Sequence, residues 1–122
     1  MLGSEVTLLV YLEIKEGKLQ DFMDLAAKMC EAVKNEADTL AYGFYMNENK
    51  TTCTVREVYK NGAAFLAHGK NVQEYLMQLG PLTAWKGADL HGPKNEIDPL
   101  RAMPIFQQNC GFWEETLVMS KL

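Results

Sequence analysis

Of the two histidines in the chain, His68 is the one whose neighbours suggest chemistry. It stands three positions after Phe65 and four before Val72, at the edge of an apolar helical stripe, and a histidine placed there can face a sheet–helix cleft. An ordinary pKa of about 6.5 lets it accept a proton from a phenolic or enolic oxygen near neutral pH. The alternative is a structural histidine, hydrogen-bonded at the helix surface. Glu57 lies on the segment that feeds this helix and shares a face with Val55 and Tyr59. If that face meets the helices, Glu57 and Tyr59 line the same cleft as His68, and the carboxylate orients the imidazole and raises its pKa; an exposed Glu57 would pair with Arg56 or a lysine instead. Tyr42 and Phe65 offer aromatic walls to a flat ligand, or serve simply as core. Val72 continues the stripe along the cleft, and Trp85, after the Gly80-Pro81 break, closes one end of a pocket or caps the core. His91, beside Gly92-Pro93, reads as a solvated turn residue.

Other chemistries lack their residues. No pair of histidines or carboxylates shows ligand spacing such as HxxxH, and Cys30, Cys53 and Cys110 are widely spaced with no CxxC pair, so neither a metal nor a disulfide framework is expected. No glycine-rich loop follows a strand and no GxSxG elbow appears, which leaves Rossmann-type hydride transfer and serine hydrolysis unsupported; no cofactor is expected.

The elements that must position these groups follow from periodicity. Residues 5–14 alternate with period two, Val6, Leu8, Val10, Leu12 and Ile14 on one side, and predict a first strand. After Gly17, the apolar residues Leu19, Phe22, Met23, Ala26, Met29, Cys30 and Val33 recur at helical spacing over residues 18–36. Residues 40–47 and 52–60 read as a hairpin around the polar Asn47–Lys50 turn. Asn61 then caps a helix whose stripe runs through Phe65, Leu66, Val72, Tyr75, Leu76 and Leu79, and Gly80-Pro81 stops it. The remainder predicts a short strand near residues 88–91, a brief helix near 96–103 and a last strand between 105 and 117. The order is an α+β, ferredoxin-like βαββαβ arrangement in one domain, residues 1–122, with a C-terminal arm from about residue 86 to 122.

A sheet covered by helices on one side normally turns a polar face to water. Here Leu9 and Tyr11, Ala41 and Tyr45, and Val58 make the second face partly apolar. Such a face more often marks an interface, so the expected partner is a second copy, two sheets packing face to face with the C-terminal arm crossing or not. The alternative is that the arm folds back over its own sheet. At 122 residues with 12 basic and 16 acidic side chains, net charge -4 and no basic cluster, the chain is not expected to bind nucleic acid or an anionic membrane as its main function. No basic leader or long apolar run is present, and the three thiols read as reduced, which together predict a cytoplasmic protein.

Val55-Arg56-Glu57-Val58-Tyr59, followed by Ala64 and His68, resembles the signature region of the antibiotic biosynthesis monooxygenase (ABM) domain family, within the dimeric α+β barrel superfamily. The opening VTLLVYLEIKEGKLQDF, the segment EADTLAYGFY and the Gly92-Pro93 step are similar to that family too, over about residues 5–95. The resemblance implies a homodimer with a pocket between sheet and helices in each subunit. It also implies, as often in that family, oxidation of quinol-like or phenolic small molecules by O2 without metal or flavin; on the residue reading above, His68 and Glu57 are then the catalytic candidates and Tyr59, Tyr42, Phe65, Val72 and Trp85 line the substrate site. Many members place a second histidine shortly after the first, where this chain has Gln73 and Tyr75. Two other functions fit the resemblance: a non-catalytic or stress-related dimer that binds a small molecule, and a haem-binding or haem-degrading relative.

Overall fold

In the first strand, β1 (Val6–Ile14), every second side chain is buried: Val6, Leu8, Val10, Leu12 and Ile14 all turn toward the helices. The computed structural model describes residues 3–119. Gly17 takes a positive φ of 76°, which lets the chain reverse into α1 (Leu19–Val33). That helix buries Phe22, Leu25, Ala26 and Met29, while Leu19 and Met23 from the predicted stripe stay exposed. α1 ends three residues earlier than its periodicity predicts. Three successive bonds, Lys34 N–H to Glu31 O, Asn35 N–H to Ala32 O and Glu36 N–H to Val33 O, tighten its end into a turn that aims Glu36 back at the core.

β2 (Thr39–Met46) and β3 (Thr52–Tyr59) form the expected hairpin, and β1 pairs antiparallel with β3, Leu8 opposite Glu57 and Val10 opposite Val55. Asn61 caps α2 (Gly62–Asn71) as expected, its Oδ1 accepting the Ala64 N–H at 2.9 Å. The predicted single helix is two: α2 ends at Asn71, Val72 leaves helical geometry at φ -105° and ψ 12°, and α3 (Gln73–Leu79) follows it. β4 (Thr83–Gly92) is longer than its predicted core because of a bulge. Its register against β1 shifts between Tyr11 and Leu12, opposite Gly87, whose φ of 135° suits glycine. The shift moves the inward side chains from Thr83 and Trp85 to Ala88 and Leu90, which hides the alternation.

The sheet order is β2-β3-β1-β4-β5, the ferredoxin-like core with one added strand. The described part of the C-terminal arm does not fold over the second sheet face. It runs through α4 (Lys94–Ile97) and two 3₁₀ turns that bury Ile97, Leu100 and Phe106, and then adds β5 (Cys110–Glu114) parallel to the edge of β4. Phe106 packs on Phe65 with ring centroids 5.6 Å apart, so the arm builds the helix side of the domain. The other face keeps Leu9 and Tyr11 partly buried and Tyr45 and Trp113 more than half-exposed. No helix of the described residues is long and apolar enough to cross a membrane.

Candidate functional site

Between the sheet and α2–α3 lies a cavity of about 800 Å³, within the range of small-molecule sites. Its floor is the inward face of β1, from Leu8 past Val10 to Leu12, a run of about 13 Å at strand rise. Phe44, Val55, Phe65 and Leu79 extend the apolar lining. Near the Leu8 end stand its two buried ionisable groups, Glu57 and His68, and near the Leu12 end Thr83 and Trp85.

Strand register sets the first group. Glu57 points inward because Val55 and Tyr59 do, and with Leu8 and Tyr42 as its pairing partners it is held away from bulk water. Burial pushes its carboxyl up to about 7, although the Tyr59 hydroxyl, donating to Oε1, works in the opposite sense. His68 is one α2 turn beyond Ala64 and Phe65, which are buried on the same side of the helix. Its Nε2 lies 3.6 Å from Glu57 Oε1, and its Nδ1 lies 3.0 Å from both oxygens of Glu36. Burial lowers the imidazole pKa, opposed by the charge and hydrogen bond of Glu36. Neutral His68 therefore donates Nδ1–H to Glu36 and turns a bare Nε2 toward Glu57.

Glu36 is held in turn. The Asn71 amide donates to Oε2 at 2.7 Å and the Thr39 hydroxyl to Oε1 at 2.6 Å. Sequence reasoning missed this residue, which sits outside regular structure and far along the chain from His68. The one signal was its place at the head of EADTLAYGFY, directly after an amphipathic helix. Among the described residues no buried side-chain nitrogen or oxygen lacks a partner; in the row Glu36–His68–Glu57–Tyr59 hydrogen bonds join the two outer pairs, and the 3.6 Å approach of His68 to Glu57 brings them together.

The remaining expected site residues divide. Tyr42, Phe65 and Trp85 line the cavity, Tyr42 with its ring 5.0 Å from that of His68. Burial and then the Glu57 charge raise the Tyr42 phenol well above its ordinary range, so it stays protonated. Tyr59 and Val72 are not among the lining residues. Tyr59 is fully buried behind Glu57 as its hydrogen-bond donor, and Val72, where the helices part, packs with Leu25 and Met29. His91 lies on β4 rather than in a turn, stacked on Trp113 on the opposite sheet face. Met103, Pro104 and Ile105 of the arm close the cavity wall, a contribution that their irregular sequence did not reveal. No group of three metal-ligating side chains occurs among the described residues, and all three cysteines are free thiols.

The fold and site define a ferredoxin-like α+β protein with a largely apolar, partly open cavity and a carboxyl–imidazole pair at one end. The chain belongs to the antibiotic biosynthesis monooxygenase family, whose family model matches residues 5–73. It is similar to MupZ from Pseudomonas fluorescens, at 29% identity and TM-score 0.87 over 98% of this chain and 96% of that one, which takes in the C-terminal arm. A conserved protein from Methanosarcina mazei is 18% identical, TM-score 0.66, over 75% of this chain and 94% of its own. SnoaB from Streptomyces nogalater, a cofactor-independent oxygenase, is 13% identical, TM-score 0.64, over 72% of this chain and 91% of its own; these two likenesses show the fold alone. No curated protein sequence matches.

Proposed function

We propose that the chain is a monooxygenase of this family that oxidises a phenolic or quinol-like small molecule with O2, its Glu57–His68 pair removing the substrate's proton. The observation that carries the reading is the pair itself: a carboxyl brought to about 7 by burial, 3.6 Å from an imidazole nitrogen, both facing an apolar cavity. Neutral His68, or Glu57 when ionised, accepts the phenolic proton; the phenolate is then electron-rich enough to reduce O2. One oxygen atom enters the substrate and the other leaves as water, the substrate supplying all four electrons. The protein's part is a base, orientation and exclusion of water. Glu36 keeps the His68 proton on Nδ1, so Nε2 stays free to accept another. The partly apolar second sheet face, with the partly exposed Leu9 and Tyr11 at its centre, supports a face-to-face homodimer as the assembly.

A second reading rests on the same carboxyl. Held near 7, Glu57 keeps a proton in part of the molecules at neutral pH, so the pair also suits redox-neutral chemistry in which Glu57 donates to a substrate oxygen while His68 accepts. Oxygen uptake with a panel of hydroquinones and anthrones separates the two. The monooxygenase reading expects uptake that falls at least about 100-fold in His68→Ala. Conversion of substrate with no uptake supports the redox-neutral reading, and ligand-induced thermal stabilisation with no turnover of any kind supports a binding protein.

A further inference from the structure

Gly69 and Lys70 sit side by side in the last turn of α2, and both line the cavity. Glycine inside a helix costs about 1 kcal/mol relative to alanine, and a reason for it is normally found in a left-handed φ or a close approach. Gly69 has neither: its φ is not positive, and a Cβ added there would meet nothing within 4 Å. What it leaves is open space beside His68. Around that space the cavity lining is half in solvent, with Leu66 46% and Leu76 40% exposed, and with the arm residues Met103 to Ile105 also in the lining. Lys70 is the one Lys or Arg in the lining; it is exposed, and among the described residues it makes no ion pair. The only carboxylate in the lining, Glu57, is buried.

We infer that the bare helix surface at Gly69 is the entrance of the cavity, and that Lys70 beside it selects a substrate with an extended apolar body and an anionic end. The apolar body lies along Leu8, Val10 and Leu12, where about 13 Å of aliphatic floor receives it, and the anionic group remains in water against the Lys70 ammonium. A chain whose net charge is -4 repels anions in general, so the cation at the mouth is a local exception. The inference rests on the cavity being the ligand site and makes no use of turnover, so it stands or falls separately from the proton-transfer reading.

The test uses decanoate and decanol as probes, with binding followed by calorimetry on the full chain. Lys70→Gln is expected to weaken decanoate about fivefold, the most that a solvent-exposed charge pair supplies, and to leave decanol unchanged. Raising the salt concentration should erode the same part of decanoate affinity in the native chain. Gly69→Leu should weaken both probes about tenfold while raising the melting temperature, because leucine is the better helix former; loss of binding with gained stability cannot come from misfolding. Equal decanoate affinity in native and Lys70→Gln protein, or an equal loss for both probes, overturns the selection. Unchanged binding in Gly69→Leu overturns the entrance.

Discussion

Replacing Glu57 by Gln should make the protein more stable at pH 8 and no more stable at pH 4. Burial raises the folded carboxyl from its ordinary 4.5 to about 7, so the unfolded chain gives up this proton first. Stability associated with the group is therefore complete below about pH 4.5, declines as pH rises, and has been lost above about pH 7. A shift of roughly 2.5 units at about 1.36 kcal/mol per unit gives a loss of about 3 kcal/mol. Glutamine keeps the shape and an oxygen that accepts the Tyr59 hydroxyl, but has nothing to ionise. Urea unfolding at pH 4, 6 and 8 reads the difference as a change of midpoint at constant slope. Native and variant midpoints should coincide at pH 4 and separate by up to about 3 kcal/mol at pH 8, while the variant loses turnover. Parallel curves at all three pH values would refute the claim that this carboxyl is desolvated.

Three further predictions concern the neighbours. Glu36→Gln removes the charge that opposes burial at His68, so the imidazole pKa should fall further and the turnover rate drop more than tenfold with KM little changed, as followed by histidine NMR and initial rates. Tyr59→Phe removes the hydrogen bond that holds the Glu57 carboxyl down, so the pH–rate profile should move to higher pH, at a stability cost of about 1–3 kcal/mol measured by denaturation. Leu9→Arg places a charge at the centre of the second sheet face; if that face forms the proposed dimer, sedimentation should show the native chain as a dimer and the variant as a monomer at the same concentration, and a native chain that sediments as a monomer removes the dimer proposal.

Alternation and helical spacing made the ferredoxin-like core readable, because Val6 to Ile14 and the inward residues of β3 each meet one face only. The same alternation put Glu57 on one face with Val55 and Tyr59 without fixing which layer that face meets, and capping chemistry put Asn61 at a helix start. What stayed hidden was non-local. Glu36 gains its meaning from a turn that aims it at a helix 32 positions later, and no periodicity records that contact. The extent of β4 was masked where the bulge at Gly87 reverses the phase of its side chains. Val72 shares the apolar stripe of α2 by spacing, yet the helix breaks there and turns it to α1. The arm was the least readable segment, since Ile97 is buried from a single turn of α4, and Leu100 and Phe106 from short 3₁₀ turns, which leave no repeating pattern.

The proton-transfer account turns on whether Glu57 holds a proton near neutral pH beside a neutral His68. Carbon-13 NMR titration of the glutamate carboxyls, with Glu57 assigned from the Glu57→Gln spectrum, measures this without any substrate. The account predicts a Glu57 midpoint at about 7 and a His68 midpoint below 6.5. A Glu57 carboxyl that titrates with the ordinary glutamates near 4.5 would contradict it.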